Sequence, residues 1–201
     1  MLYVRKMTTL VIPATEHLPA YVTALERGWS PDNMRAEVAQ EQLAQIEQDP
    51  AAFLDKMDDE DAKAEPVKMP DGTTIKRLPG IHRWIWDDAA PDDLFCGDIG
   101  LRWQPGGSSL PAHVLGHIGF AVVPWKQRQG HAKAALELLL PGAWRRGLGY
   151  VELTTDPDNI ASQRVIEACS GTVVERFEKA VMYGGGESLR YRISNPAQQL
   201  N

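Results

Sequence analysis

The segment from Phe120 to Ala132 constrains the fold of this chain more than any other stretch of its sequence. Phe120 to Val123 is an apolar run typical of a buried strand, and Pro124 ends it because proline has no backbone N–H to donate. Gly130 and Ala132 then remove side-chain bulk at a predicted helix start. The first N–H groups of a helix have no partner within it and carry the positive end of its dipole. The segment therefore predicts a strand, a turn and a helix whose backbone can hold a phosphate.

A second segment, one helix and one strand later, carries polar residues at another predicted helix start. Asp158 or Asn159 is expected to cap this helix, since a short side-chain oxygen accepts hydrogen bonds from first-turn amides. Ser162 follows Asn159 by three positions. Taken singly, Gly130 could serve a tight turn and Asn159 a cap.

Together the two segments resemble the GCN5-related N-acetyltransferases (GNAT). The spacing Gln127-x-x-Gly130-x-Ala132 is similar to the acyl-CoA pyrophosphate loop of that family, and Asn159-x-x-Ser162 is similar to its second CoA-contacting segment. The resemblance covers roughly residues 80–194. It is greatest for a bacterial group with the same Asn-Ile-Ala-Ser helix and a terminal Arg-Tyr-x-Ile strand, here Arg190 to Ile193.

The resemblance implies an α/β fold, with a mixed, mostly antiparallel central sheet, helices on both faces and a parallel strand pair at the CoA cleft. It implies acetyl-CoA as cosubstrate, and an acyl-CoA-dependent N-acyltransferase that passes acetyl to a primary amine by direct attack in a ternary complex. The implied CoA contacts are Phe120, Ala121 and Val122 along the pantetheine arm, then Arg128, Gln129, Gly130, His131, Ala132 and Lys133 at the diphosphate, and Asn159 and Ser162. The side chains of Lys126, Arg128 and Lys133 could add positive charge at the diphosphate.

One position departs from the family. A tyrosine that protonates the departing thiolate often lies seven residues after the asparagine, and this chain has Ile166 there. Solvent or Tyr150, Tyr183 or Tyr191 could protonate the thiolate instead. The departure motivates an alternative function, that of a non-catalytic acyl-CoA-binding sensor or regulatory module.

The amine side of such a reaction needs a proton acceptor, because a primary amine with a pKa near ~10.4 is almost fully protonated at neutral pH. His117 begins the strand that leads into the predicted loop, and imidazole titrates in the right range. Glu152 and Asp156, on and just after the neighbouring strand, are rivals. For His117 a hydrogen-bonded structural role is the competing interpretation.

We expect no metal, because His113 and His117 could share a strand face but have no third ligand at a diagnostic spacing. Cys96 and Cys169 lie far apart, which predicts neither a disulfide framework nor a zinc knuckle and favours the cytosol. No leader-like or membrane-spanning run is recognised, so we expect a soluble, cytoplasmic protein.

Composition predicts one domain over residues 1–201, since 43% hydrophobic residues can fill one sizeable core. A net charge of −6 argues against a nucleic-acid partner and favours an amine, either a small molecule or a peptide. Exposed strand edges could support a homodimer. The identity of the acceptor is not decided by any pattern in the sequence.

The periodicity of apolar residues predicts the remaining elements. We expect strands at 8–12, 81–87, 94–103, 151–155, 172–176 and 189–193, and helices at 20–27, from 31 to Pro50, from Gly130 and from Asn159. Residues 55–65 are predicted to be a solvated acidic loop or helix end, and residues 104–109 a flexible loop. Pro141 is expected to kink the helix that begins at Gly130 or end it early.

Overall fold

The computed structural model describes residues 8–33, 35–68, 72 and 74–198. Its internal contacts divide the chain into two compact units. The first unit comprises residues 1–58, 81–100 and 120–138, and the second comprises residues 59–80, 101–119 and 139–201. Among the described residues, no helix is both long and apolar enough to cross a bilayer. The expectation of a single domain stays a prediction.

Ten strands and five α-helices follow one another along the described residues. In chain order they are β1 (Thr8–Val11), α1 (Leu18–Glu26), α2 (Val38–Gln48), α3 (Pro50–Asp55), β2 (Asp58–Asp59), β3 (Val67–Lys68), β4 (Thr74–Ile75), β5 (Gly80–Asp87), β6 (Phe95–Arg102), β7 (Ile118–Val122), α4 (His131–Arg145), β8 (Tyr150–Thr155), α5 (Ile160–Ala168), β9 (Thr172–Glu178) and β10 (Glu187–Ser194). Short 3-10 turns lie at Pro124–Lys126, Val181–Tyr183 and Pro196–Gln198.

The first sheet has the strand order β1-β5-β6-β7, and β2 pairs with β5 beside this path. β1 and β5 are antiparallel, with Thr8 opposite Asp87. An aromatic core packs on these strands: Tyr21 of α1 stacks on Trp84 at 4.4 Å between ring centroids, and Phe95 meets Tyr21 edge-on at 5.3 Å. Buried aromatic rings supply much of the apolar area in a core, so this cluster holds α1 against β5 and β6.

The second sheet, in the second unit, has the order β8-β10-β9, with both pairs antiparallel. Val151, Leu153, Tyr191 and Ile193 are buried, and β10 alternates buried and more exposed side chains from Leu189 to Ser194. In β8 the charged Glu152 is buried as well. β9 pairs with β10 and is mostly exposed along its length. A register irregularity lies in β10 between Arg190 and Tyr191 where it pairs with β9.

The mixed α/β class with mostly antiparallel sheets is confirmed. The parallel pair expected at the CoA cleft is not among the paired strands of the described residues. β7 is an edge strand of the first sheet, and β8 is an edge strand of the second. Within the second unit, His117 lies just before β7, and its N–H donates to the carbonyl of Glu152 on β8 at 2.7 Å.

Three details of the helices differ from the prediction. α2 begins at Val38 rather than at residue 31, because Asp32 accepts a hydrogen bond from the Arg35 N–H in a turn before the helix. Pro50 was expected to end a helix, but it also starts α3: Asp49 accepts a hydrogen bond from the Ala52 N–H, and a proline at the first helical position loses no intrahelical bond. Pro141 does not end α4, which continues to Arg145. Leu139 and Ala143, on either side of Pro141, are buried and pack the last turn of α4 into the core. This packing offsets the cost of an interior proline, about 3 kcal/mol.

Candidate functional site

The segment from Pro124 to His131, called the diphosphate loop below, links β7 to α4. A single 3-10 turn opens it, and α4 begins at its other end. Arg128 and Gly130 have φ values of +57° and +90°, so the chain turns through the left-handed region twice within three residues. A Cβ added at Gly130 would meet no atom within 4 Å. The backbone is therefore open at the position where the sequence predicts a diphosphate.

Two glutamine side chains support the loop from within. Gln127 donates its side-chain amide to the carbonyl of Val122 at 3.2 Å, and Gln129 donates to the carbonyl of Trp125 at 3.1 Å. The first bond ties the loop to the end of β7, and the second lies within the loop and closes it on its opening turn. The side chain of Gln129 thus braces the loop, and a contact between its backbone and CoA stays a prediction.

The basic side chains do not all act as expected. Lys126 is buried, and its ammonium lies 3.7 Å from Asp87 and 3.4 Å from Asp93. The expectation that Lys126 adds positive charge at the diphosphate is wrong, because its ammonium is buried and two carboxylates offset its charge. Lys133 pairs with Glu137 one helical turn on, at 2.6 Å. Arg128 is exposed on the loop.

The ring of His131 points into the protein. Its Nδ1 lies 3.0 Å from the hydroxyl of Thr8, and its Nε2 lies 3.8 Å from Asp87. A contact between His131 and CoA would therefore use its backbone rather than its imidazole. Ala132, the next residue, is half-buried.

The strand before the loop carries the residues expected along the pantetheine arm. Ala121 is buried, and Phe120 and Val122 are half-buried. Gly97 of β6 approaches so closely that a Cβ there would lie 2.1 Å from the carbonyl oxygen of Ala121. The side chain of Asn33 donates to the carbonyl of Phe120 at 3.4 Å. This part of β7 is thus fixed by backbone contacts on β6.

Asn159 caps α5, as expected. Its side-chain oxygen accepts a hydrogen bond from the N–H of Ser162 at 3.1 Å. Asn159 is exposed and Ser162 is half-buried. Their contacts with CoA stay predictions, because a cap alone would also account for this geometry. Ile166, at the position of the family's tyrosine, is buried in the core of the second unit.

His117 and Glu152, the predicted catalytic residues, meet within the second unit. The Nδ1 of His117 accepts a hydrogen bond from the N–H of Glu152 at 2.9 Å, so the neutral ring carries its proton on Nε2. Burial lowers the pKa of His117 from 6.5 to about 4, an effect that the Glu152 carboxylate partly offsets. With its side chain 0% exposed and its Nδ1 lone pair engaged, His117 has the geometry of a structural histidine. Its role as a base stays a prediction.

The two carboxylates considered as alternatives to His117 as the base form ion pairs. Glu152 is buried and lies 2.7 Å from Arg192 and 3.5 Å from Arg190. Asp156 pairs with Lys179. Such paired carboxylates hold the second sheet together, and the sequence carried no local sign of the pairing.

Each of the three tyrosines considered as proton donors contacts another group of the protein. Tyr191 donates its hydroxyl to Glu167 at 3.0 Å, and burial raises its pKa. The hydroxyl of Tyr183 donates to the carbonyl of His113. The guanidinium of Arg192 lies 3.9 Å over the ring of Tyr150.

Sequence reasoning missed one pair that can move a proton. His82 of β5 lies with its Nδ1 3.2 Å from the carboxylate of Asp98 on β6, and the His82 side chain is 45% exposed while that of Asp98 is 12% exposed. A carboxylate on one ring nitrogen orients a histidine. The expected hairpin of β5 and β6 was the available signal, since these neighbouring strands carry the two residues.

The chain matches a family model described as an acetyltransferase (GNAT) domain over residues 16–172. The match begins well before residue 80, where the sequence resemblance was expected to start, and it includes both the diphosphate loop and Asn159. No curated protein matches this chain in sequence.

Solved acetyltransferases share the fold. The microcin C7 self immunity acetyltransferase MccE, solved with acetyl-CoA and AMP, has a TM-score of 0.61 at 12% identity, covering 96% of this chain and 94% of that one. RimL, a ribosomal L7/L12 alpha-N-protein acetyltransferase solved with CoA, has a TM-score of 0.61 at 14% identity, covering 96% and 97%. The ribosomal-protein-S5-alanine acetyltransferase from Vibrio fischeri has a TM-score of 0.60 at 12% identity, covering 96% of each chain.

These identities are low enough that the likeness shows the fold alone. The family model, by contrast, spans more than half of the sequence. The chain therefore belongs to the acetyltransferase (GNAT) domain family.

Proposed function

We propose that this protein transfers an acetyl group from acetyl-CoA to a primary amine by direct attack of the amine on the thioester in a ternary complex. The observation that carries the proposal is the diphosphate loop, in which β7 ends, Gly130 adopts φ +90° with open space at its α-carbon, and α4 begins. Family membership supports acetyl-CoA as the cosubstrate.

In this proposal the diphosphate binds the backbone from Arg128 to Lys133, and the pantetheine arm follows Phe120 to Val122. The N-terminal end of α4 supplies N–H groups and the positive end of a helix dipole, a combination that binds anions without a dedicated cation. Holding amine and thioester together supplies on the order of 7–11 kcal/mol toward the barrier, so positioning contributes more than any one acid or base.

Two of the solved relatives are named as ribosomal-protein acetyltransferases. A peptide amine is therefore the first acceptor class to offer, with polyamines, aminoglycosides and amino acids beside it. The homodimer, the cytoplasmic location and the exclusion of nucleic acid and membrane as partners stay predictions.

A thiol-release assay separates this enzyme from the non-catalytic acyl-CoA sensor. Free CoA should appear faster when an accepted amine is added to protein and acetyl-CoA, and the rate should saturate with the amine. A sensor would bind acetyl-CoA equally well, but none of the four amine classes would raise the rate above that of hydrolysis.

Asn159→Ala should lower both the free energy of unfolding and the affinity for acetyl-CoA. Loss of the cap costs about 0.5–2 kcal/mol, and the lost CoA contact should weaken binding several-fold. Urea unfolding and calorimetry measure the two effects. Asp49→Ala is the matched control, because Asp49 caps α3 by the same kind of bond to Ala52. If both variants lose stability and neither loses affinity, Asn159 serves only as a cap.

His117→Asn and His117→Gln distinguish the catalytic interpretation from the structural one. The side-chain oxygen of asparagine takes about the place of Nδ1 and can accept from the Glu152 N–H, whereas glutamine places its oxygen further out. Given the engaged Nδ1, we expect the Asn variant to keep its stability and most of its turnover at neutral pH, and the Gln variant to lose stability. A base role would instead remove turnover from both, with recovery as the pH approaches the pKa of the amine.

The same variant has a signature in stability against pH. Because the folded-state pKa of His117 is lowered from 6.5 to about 4, its neutral form stabilises the native protein above pH 6.5, and this stabilisation is lost as the pH falls toward 4. His117→Asn should lack that loss. The assignment to His117 would be contradicted if lowering the pH from 6.5 to 4 reduced the unfolding midpoint of the Asn variant as much as that of the wild type.

A further inference from the structure

A polar cluster with three buried members lies behind the diphosphate loop in the first unit. It consists of Asp87, Asp93, Lys126, His131 and Thr8, and is called the Asp87 cluster below. Asp87, Lys126 and His131 are 4%, 7% and 1% exposed. One oxygen of Asp87 lies 3.7 Å from the ammonium of Lys126 and 3.8 Å from Nε2 of His131. A single carboxylate thus faces two basic side chains.

These two side chains come from opposite ends of the loop. Lys126 closes the 3-10 turn that opens the loop, and His131 is the first residue of α4. The four residues between them include Arg128 and Gly130, whose left-handed φ values shape the loop. The carboxylate of Asp87 therefore sits opposite both ends of the segment that is proposed to bind the diphosphate.

Further contacts hold each end in the same orientation. Lys126 lies 3.4 Å from Asp93, and Nδ1 of His131 lies 3.0 Å from the hydroxyl of Thr8. Thr8 is itself the register partner of Asp87 across β1 and β5. The β1–β5 ladder of the first sheet thereby carries Thr8 and Asp87, whereas Asp93 lies in the turn between β5 and β6.

The energetics make this arrangement sensitive to the charge of Asp87. A buried carboxylate or ammonium is strongly destabilising unless it is paired, and removing one member of a buried pair leaves the other uncompensated. With Asp87 neutral, Lys126 would keep Asp93, which is more exposed, and His131 would lose its carboxylate. Both loop ends could then move relative to β5.

We propose that Asp87 is a positioning residue for the diphosphate loop: by drawing Lys126 and His131 inward from its two ends, the carboxylate fixes residues 127–130 in the shape that receives the diphosphate of acyl-CoA. The inference rests on the proposed function, since it takes acyl-CoA as the ligand. Asp87 itself does not touch the ligand; it acts through the loop backbone.

A metal ion is the competing use of the same residues. Asp87, Cys96 and His131 offer an oxygen, a sulfur and a nitrogen within 4.8 Å of one another. The ammonium of Lys126 already supplies positive charge to Asp87 at 3.7 Å, and a cation placed beside it would be repelled. The Asp87 cluster is therefore assigned to loop positioning, and elemental analysis of the purified protein tests the alternative.

Asp87→Asn removes the charge with little change in volume, and two acetyl donors show where the effect lies. Acetyl-CoA carries the diphosphate, whereas acetyl-pantetheine lacks it. We expect the KM for acetyl-CoA to rise about tenfold with kcat nearly unchanged, and kcat/KM for acetyl-pantetheine to stay within about twofold of the wild type. A general loss of structure would lower the use of both donors equally.

Asp58→Asn is the matched control, since Asp58 pairs with Arg83 at 2.7 Å in the same unit and belongs to no part of the loop. It should affect both donors alike. Lys126→Met provides a second route if Asp87→Asn folds poorly, and it should show the same selective rise in the KM for acetyl-CoA.

Equal effects of Asp87→Asn on the two donors, no effect on either, or stoichiometric metal in the wild-type protein would overturn the inference. A wild-type protein that fails to bind acetyl-CoA would overturn the proposed function instead.

Discussion

Gly97→Ala should destabilise the protein by more than about 4 kcal/mol, the range reserved for severe steric or core defects. A Cβ at this position would lie 2.1 Å from the carbonyl oxygen of Ala121 and 2.9 Å from the α-carbon of Val122, and both are backbone atoms that cannot rotate away. The φ of +151° adds strain for any side chain. Urea unfolding followed by fluorescence of the buried tryptophans measures the loss.

Gly119→Ala is the control for this effect. Gly119 lies on β7 next to the affected residues, and a Cβ there meets no atom within 4 Å. Its free energy of unfolding should stay within about 0.5 kcal/mol of the wild type. If Gly97→Ala unfolded at the same urea concentration as Gly119→Ala, the close approach of β6 to β7 would be wrong, and with it the account of how the predicted pantetheine strand is held.

Gly130→Asp should weaken acetyl-CoA binding by at least about tenfold. The new carboxylate would occupy the open space where the diphosphate is proposed to bind. Two like charges about 4 Å apart repel by about 4 kcal/mol at an effective dielectric near 20, and salt screening at an exposed loop reduces this figure. Calorimetric titration of acetyl-CoA at two salt concentrations measures the loss and its screening.

Backbone strain at Gly130 needs its own control, because its φ of +90° disfavours every residue with a side chain. Gly106→Asp matches it: Gly106 has φ +91° and equally open space, and lies in the surface loop after β6. Both variants should lose similar stability, and the loss of affinity should be confined to Gly130→Asp. Unchanged affinity for acetyl-CoA in a folded Gly130→Asp variant would show that the diphosphate does not bind at this loop.

The parts of the fold that follow from local chemistry were predictable. Pro124 ends a strand because it lacks an N–H, Gly130 turns the chain through a positive φ, and Asn159 caps a helix with its side-chain oxygen. Each of these signals acts within a few residues. The strand and helix that flank each signal were placed correctly for the same reason.

Long-range pairing decided what the sequence could not show. Lys126 was expected to add positive charge at the diphosphate, but Asp87, 39 positions earlier by the numbering, and Asp93 draw its ammonium inward. Likewise His117 was a candidate base by residue type alone. Its tautomer depends on the Glu152 N–H, whose partner is set by how two distant segments meet. Side-chain direction in such cases follows from tertiary contacts that no local pattern encodes.

The proposed reaction requires that acetyl leave CoA and arrive on an amine. Incubation of the wild-type protein with acetyl-CoA carrying an isotope-labelled acetyl group and a peptide amine, followed by mass spectrometry, tests it most directly. We expect label in an amide on the amine, with an equal amount of free CoA, and much less of both with Gly130→Asp. Acetyl-CoA binding with no label on the peptide, nor on polyamines, aminoglycosides or amino acids offered in the same way, would contradict the proposed reaction and leave the sensor as the function.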